Sequence, residues 1–195
     1  IALSPKRLEG YRNFCNKLYN AVRFALGSIG EVTLGGAPAG APSLLMNRWI
    51  LARLAAVVET STRGIVEFRI DEGAGALYHF VWDELCDWYI ELSKPVFARG
   101  TDAERAETAT TLAHVVETTL RALHPYVPFI TEELWQRVPH PASRPRSIAR
   151  APYPTAADDG RPDADAERDF TVVSQVISAI RSVRSEHGVE KRAQV

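Results

Sequence analysis

Cysteine is nearly missing from this sequence. Cys15 and Cys86, alone in 195 residues, cannot build a disulfide framework, and so few thiols fit a reducing compartment. Long apolar runs are missing too. No stretch approaches the roughly 18 uninterrupted apolar residues of a membrane span. The chain opens on Ser4-Pro5-Lys6-Arg7, not on a charged segment followed by a greasy one, so no secretory signal is expected. The expectation is a cytoplasmic protein with no membrane partner. Nor does charge of one sign dominate. Lys and Arg total 23 and Asp and Glu total 24, a formal net charge of −1, which excludes a uniformly basic coat for nucleic acid. Any nucleic-acid site must be local. Apolar residues at 46% and charged residues at 24% exclude chain-wide disorder. Methionine occurs only at Met46, and the chain runs from Ile1 to Val195, so it reads as a piece of a longer polypeptide.

The usual catalytic signatures are also lacking. His79, His114, His124, His140 and His187 pair with no Cys or second His at zinc-ligand spacing, so no metal site is expected. There is no GxxxxGK[ST] loop, no GxGxxG fingerprint after a strand and no GxSxG elbow. Gly27-Ser28-Ile29-Gly30 reads as a helix stop and not as a phosphate cradle. Both cysteines fall on apolar faces, as buried inert thiols do. Asp83, Asp87 and Glu91 could pose as acid–base carboxylates, but they share one helix with no second catalytic element. The segment itself is expected to have no catalytic residues.

What is present is helical periodicity. Ser4 as N-cap and Pro5 at the first helical position start a helix that runs to about Leu26, with Gly27 and Gly30 to end it. Residues 31–43, with Gly35, Gly36, Pro38, Gly40 and Pro42, read as a loop. Asn47 can cap a second helix over Arg48–Arg69. Asp71 can cap a third reaching Ser93 or Phe97, although Gly73 and Gly75 are costly inside a helix and favour a start near Ala76. Thr101 or Asp102 starts a fourth, which ends near Leu123. After the break at His124-Pro125-Tyr126-Val127-Pro128, a short helix runs from Thr131 to about Val138. A last helix runs from Asp163 or Asp169 to Glu186. The pattern predicts an all-α fold, an antiparallel helical bundle. The expected division is a bundle over 1–142, a Pro/Asp-rich linker over 143–162 and a terminal helix within 163–195.

Helix faces carry the next inference. In the first helix Leu8, Tyr11, Phe14, Cys15, Leu18, Val22 and Ala25 form a core stripe, and the opposite side carries Asn13, Asn16, Lys17, Asn20 and Phe24, with Arg23 at its edge. The first 26 residues hold five bases and one acid, Glu9. Phe24 on that face admits two readings. It can stack an unpaired base among amides and cations, or it can pack on a neighbouring helix. In the third helix Leu77, Phe80, Val81, Leu85, Trp88 and Leu92 face one way, and Asp83, Glu84, Asp87 and Glu91 form an acidic strip. The strip can be a solvated edge paired with arginines, which supply 19 of the 23 bases, or one carboxylate can accept a base's exocyclic amine.

Three strings give a family resemblance. Residues 13–24, Asn-Phe-Cys-Asn-Lys-Leu-Tyr-Asn-Ala-Val-Arg-Phe, resemble the RNFxNKLWNAxRF helix of valyl-tRNA synthetases. Residues 78–95, from Tyr78-His79-Phe80-Val81-Trp82 through Cys86-Asp87-Trp88-Tyr89-Ile90-Glu91 to Lys94-Pro95, resemble the family's YxFxWxxFCDWYIExxK helix. Residues 123–135, Leu-His-Pro-Tyr-Val-Pro-Phe-Ile-Thr-Glu-Glu-Leu-Trp, resemble its LHPxxPFITEELW turn. Order and spacing also match, over essentially all of residues 1–188. The last string is shared more loosely with isoleucyl and leucyl enzymes. Tyr19 stands where the family usually has Trp, and the Gly/Pro-rich 35–42 loop is a local departure.

The resemblance implies the helical anticodon-binding domain of a modular class I enzyme whose HIGH and KMSKS motifs lie outside this sequence. It implies tRNA, through its anticodon loop, and the parent's catalytic domain as partners. It implies no cofactor in this segment, and ATP and Mg²⁺ in the parent. It makes Phe24 a base-stacking residue, Lys17 and Arg23 phosphate or base contacts, and Asn16 and Asn20 further candidates. Valine codons read GUN, so the anticodon ends in adenine then cytosine, and both bases carry exocyclic amines. Glu91 then serves as an acceptor and Ile90 as an apolar wall. Trp82, Trp88 and Trp135 stay assigned to packing. The alternatives are an isoleucyl or leucyl counterpart, or a helical protein-interaction module.

Overall fold

The computed structural model describes residues 4–30, 40–139, 144–159 and 161–188. Among these residues there is no strand, and the all-α expectation holds. Helix α1 spans Pro5–Ile29 and α2 Leu45–Val66. The third element is one continuous rod made of α3 (Ile70–His79), a π-helical stretch (Phe80–Ile90) and α4 (Glu91–Arg99). Then follow α5 (Asp102–Leu123), α6 (Pro128–Trp135), a 3₁₀ turn (Ile148–Arg150), α7 (Ala156–Asp159) and α8 (Ala164–Glu186). No described helix is long and apolar enough to cross a membrane.

Several boundaries differ from the sequence reading, each for a physical reason. Helix α1 passes through Gly27 and ends at Gly30, whose φ of 59° is the left-handed geometry glycine tolerates. Asn47 is not a cap. It lies buried inside α2, where it donates to Glu107 (2.8 Å) and Thr108 (3.2 Å) and accepts from Tyr89 (2.7 Å). The entry to α2 is held from another helix, because the Glu107 carboxylate of α5 accepts from the backbone N–H groups of Ser43 and Leu44, just before the first turn. Helix α3 starts at Ile70, not Ala76. Gly73 is placed there by close helix packing, since a Cβ on it would sit 2.6 Å from Tyr126 Oη, and one on Gly64 of α2 would sit 2.9 Å from the Arg69 carbonyl. Pro128, not Thr131, opens α6, where its missing N–H costs nothing. Thr101 and Glu104 form a reciprocal capping box at the start of α5. The expected loop at 31–43 lies outside the described residues over 31–39.

The rod explains which side chains point inward. A π-helix bonds i→i+5 and so takes more residues per turn. Leu77, Phe80, Val81 and Leu85 are buried as expected. Past Leu85 the inward face advances by one residue, to Tyr89, Ile90 and Ser93, and leaves Trp88 and Leu92 only partly covered. In α1 the stripe from Phe14 through Leu18, Val22 and Ala25 is core, but Leu8 and Tyr11 are 53% and 61% exposed. The neighbouring helices leave an open cleft beside that end of α1.

The segment expected as a linker is docked on the bundle where it is described. Glu132 of α6 accepts from Ser147 Oγ (2.7 Å) and from the Ile148 N–H (3.1 Å), and Ile148 is buried. Tyr153 Oη meets Ser61 Oγ at 2.7 Å. Asp163 caps α8 through the Ala166 N–H and pairs with Arg48 of α2 at 2.8 Å. Phe170 stacks on Trp49, with ring centroids 3.7 Å apart. Beyond Phe170, α8 is largely exposed, including Val172, Val176, Ile180 and Val183.

Candidate nucleic-acid interface

Helix α1 and the rod run side by side in the same direction, as their contacts show. Phe14 stacks on Tyr78 at 5.1 Å, Lys17 Nζ lies 4.0 Å from the Trp82 ring centroid, and Phe24 meets Lys94 at the far end. Consecutive helices alternate, so two up-running helices become neighbours and present one joint surface. The candidate residues lie along this seam.

The structure places each of them differently. Phe24 is half-buried, with one part of its ring against the core and Lys94 Nζ 5.7 Å from its centroid. Phe24 thus packs in part on the core, as the packing reading has it. Arg23, Asn16 and Asn20 are exposed, and Arg23 has no carboxylate partner among the described residues. Lys17 is already engaged. It donates to Asp87 at 2.7 Å while lying over Trp82, and its side chain is 23% exposed. Glu91 is on the surface and accepts from Lys94 at 2.5 Å. Ile90 is 6% exposed and belongs to the core, because the π-helical stretch turns it inward. It offers no open apolar wall.

The acidic strip is paired along its length, as a solvated edge would be. Asp83 meets His79 Nδ1 at 3.0 Å, Glu84 takes a two-pronged contact from Arg53 (2.9 and 3.0 Å), Asp87 takes Lys17, and Glu91 takes Lys94. Of these pairs, only Glu91–Lys94 also flanks an aromatic of α1. Lys94 is the residue that sequence reasoning passed over as a site residue. Its signal was present in Glu91-Leu92-Ser93-Lys94, the i, i+3 spacing that puts the two charges on one face.

Two other features lie away from the seam's far end. An apolar cleft of about 740 Å³ is lined by Tyr11, Phe14, Ile70, Tyr78, Tyr126 and Val127 among others, with no charged side chain in its lining. Thirteen residues of helix separate Tyr11 from Phe24, about 20 Å at 1.5 Å per residue. Cys86 is unbridged, and burial pushes its thiol up to about 11. Trp135 is buried, while Trp82 and Trp88 are partly buried against the core, so all three pack. Among the described residues no group of three His, Cys, Asp or Glu could hold a metal ion.

Comparison with known proteins converges. A family model described as the anticodon-binding domain of tRNA ligase matches residues 47–195. Valine–tRNA ligase of Stenotrophomonas maltophilia (strain R551-3) is 46% identical over 197 residues, covering 100% of this chain and 21% of that protein. Valine–tRNA ligase of Rhizobium meliloti (strain 1021) is 40% identical over 196 residues, covering 99% of this chain and 20% of that protein. The chain thus spans about a fifth of the length of these curated relatives. The fold is similar to that of a LeuRS of Agrobacterium radiobacter K84, solved in a ternary complex with tRNA and LeuAMS. The TM-score is 0.55 at 16% identity, over 95% of this chain and 24% of that one. At that identity the likeness speaks to fold alone.

Proposed function

The chain belongs to the anticodon-binding domain family of tRNA ligases, and from that premise we propose that it is the anticodon-binding segment of a valine–tRNA ligase. It holds the anticodon loop of tRNA(Val), so that the acceptor end reaches the parent's catalytic domain. The observation that carries this reading is the far end of the α1–rod seam. There the accessible part of the Phe24 ring stands beside an acceptor, Glu91, and a cation, Lys94, with exposed Arg23 and Asn20 on the same helix as Phe24. An aromatic plane flanked by hydrogen-bonding and cationic groups is what a splayed single-stranded base requires.

The amino-acid activation step, with its ATP and Mg²⁺, is assigned to the parent outside this segment. We assign the apolar cleft at the other end of α1 to packing against the parent's catalytic domain. Its lining is uncharged, which suits a protein surface and not a phosphate backbone, and the matched relatives are about five times longer than this chain. Replacing Phe24 by Ala in the full-length ligase should lower kcat/KM for tRNA by roughly 5- to 150-fold, the equivalent of one lost base stack. ATP–pyrophosphate exchange without tRNA should be unchanged. Unchanged valylation by the variant would refute the stacking role.

A further inference from the structure

We propose that Lys94 is a phosphate-contacting residue of this interface, held in the free protein by Glu91 and Phe24, and that RNA binding breaks the Lys94–Glu91 pair. The inference rests on the anticodon-binding reading above and adds a residue and an order of events to it.

Three groups from two helices meet at one point. Phe24 comes from α1, and Glu91 and Lys94 come from the first turn of α4. The ammonium group lies 2.5 Å from the Glu91 carboxylate and 5.7 Å from the centre of the Phe24 ring, within the range of a cation–π contact. A base cannot stack where the ammonium group stands over the ring. Stacking therefore displaces Lys94, and the four-carbon stem lets its charge swing to the backbone of the same nucleotide. Glu91, stripped of its cation, then has free oxygens for an exocyclic amine. Ring, carboxylate and ammonium group together match one nucleotide: its base plane, its amine edge and its phosphate.

The pair is built to be exchanged. Both side chains are about half exposed, 47% for Lys94 and 51% for Glu91, and exposed pairs of this spacing contribute little to stability. The contrast is Lys17, which is only 23% exposed, lies over Trp82 at 4.0 Å and bonds to Asp87 at 2.7 Å. Asp87 and Glu91 are about equally exposed, 55% and 51%, so the difference lies in the cation itself: Lys17 is the more covered and sits closer over its ring, at 4.0 Å against 5.7 Å for Lys94. The seam thus holds one fixed cation and one movable cation.

The test uses the full-length ligase and tRNA(Val) transcript, with the dissociation constant measured between 50 and 200 mM salt. Lys94→Ala should weaken binding by a similar factor for every anticodon and lower the slope of log K against log salt by roughly 0.7 to 1, the loss of one phosphate contact. Lys94→Arg should keep the slope. Glu91→Ala, which frees Lys94 while removing the acceptor, should keep the slope and narrow the gap between valine and non-valine anticodons. If Lys94→Ala leaves both affinity and slope unchanged while Phe24→Ala weakens binding, the anticodon reading stands and this inference falls. If anticodon swaps change nothing even in the unsubstituted ligase, the reading beneath it falls as well.

Discussion

Replacing Glu107 by alanine should cost this chain about 1–4 kcal/mol of stability, and the magnitude follows from its partners. The carboxylate accepts from the Ser43 N–H (2.9 Å), Ser43 Oγ (2.7 Å), the Leu44 N–H (3.0 Å) and Asn47 Nδ2 (2.8 Å). Ser43 is exposed, so water can replace its bonds at little cost. Asn47 is fully buried, and without Glu107 its NH₂ group keeps only a longer bond to Thr108 at 3.2 Å, while its Oδ1 still accepts from Tyr89. Leaving a buried donor unsatisfied costs about 1–3 kcal/mol, and removing a negative charge from a helix N-terminus costs roughly another 0.3–1 kcal/mol. For a chain of this length that is a fall in Tm of about 3–16 °C, measured by circular dichroism at pH 7. Acid titration supplies the sign. Burial pushes the Glu107 carboxyl up, but the bonds from Ser43, Asn47 and the two backbone N–H groups outweigh it, and the group is held below the ordinary glutamate range. A depressed folded pKa gives stability that is present above the unfolded value of about 4.3 and is lost as pH falls through the folded pKa. The gap between parent and variant should therefore be constant from pH 7 to about 5 and close below it. A variant melting within about 1 °C of the parent would refute the reasoning, and so would a gap that widens in acid.

The same melting assay separates two glycines. Gly64→Ala pushes a Cβ to 2.9 Å from the Arg69 carbonyl and 3.0 Å from the Gly73 nitrogen, and should cost about 1–3 kcal/mol. Gly10→Ala meets nothing within 4 Å in the exposed face of α1 and should raise stability by up to about 1 kcal/mol. Cys86, with its thiol at about 11, is protonated at pH 8 and should react with a thiol reagent roughly two orders of magnitude more slowly than free cysteine.

The parts of this fold that are written locally are readable from sequence. Pro5 opens α1, Thr101 caps α5 and Asp163 caps α8, because each acts within its own chain neighbourhood. The cap of α2 is not readable in this way. Its N-cap position, Leu44, has no polar side chain, and the acceptor is Glu107, some 60 residues on. Nor does any residue pattern announce the π-helical stretch, which rotates Ile90 into the core and leaves Trp88 only partly covered. The candidate site divides along the same lines. Arg23 and Glu91 are exposed, as a helix wheel gives them, and Phe24 is half-buried beside them. Lys17 is accessible on a wheel, and only the neighbouring helix shows it bound to Asp87 and Trp82. Lys94 acquires meaning only when α4 is set beside α1. In the Pro- and Asp-rich stretch, Ile148 and Tyr153 are legible as apolar residues able to dock, but their partners Glu132 and Ser61 lie on other helices.

The central claim is recognition of the valine anticodon, and binding of the full-length ligase to tRNA(Val) transcripts that differ only in the anticodon tests it most directly. Loss of one base contact worth about 1–3 kcal/mol predicts roughly 5- to 150-fold weaker binding when the valine anticodon is replaced by one for isoleucine or leucine. Equal affinity for all three would contradict the account.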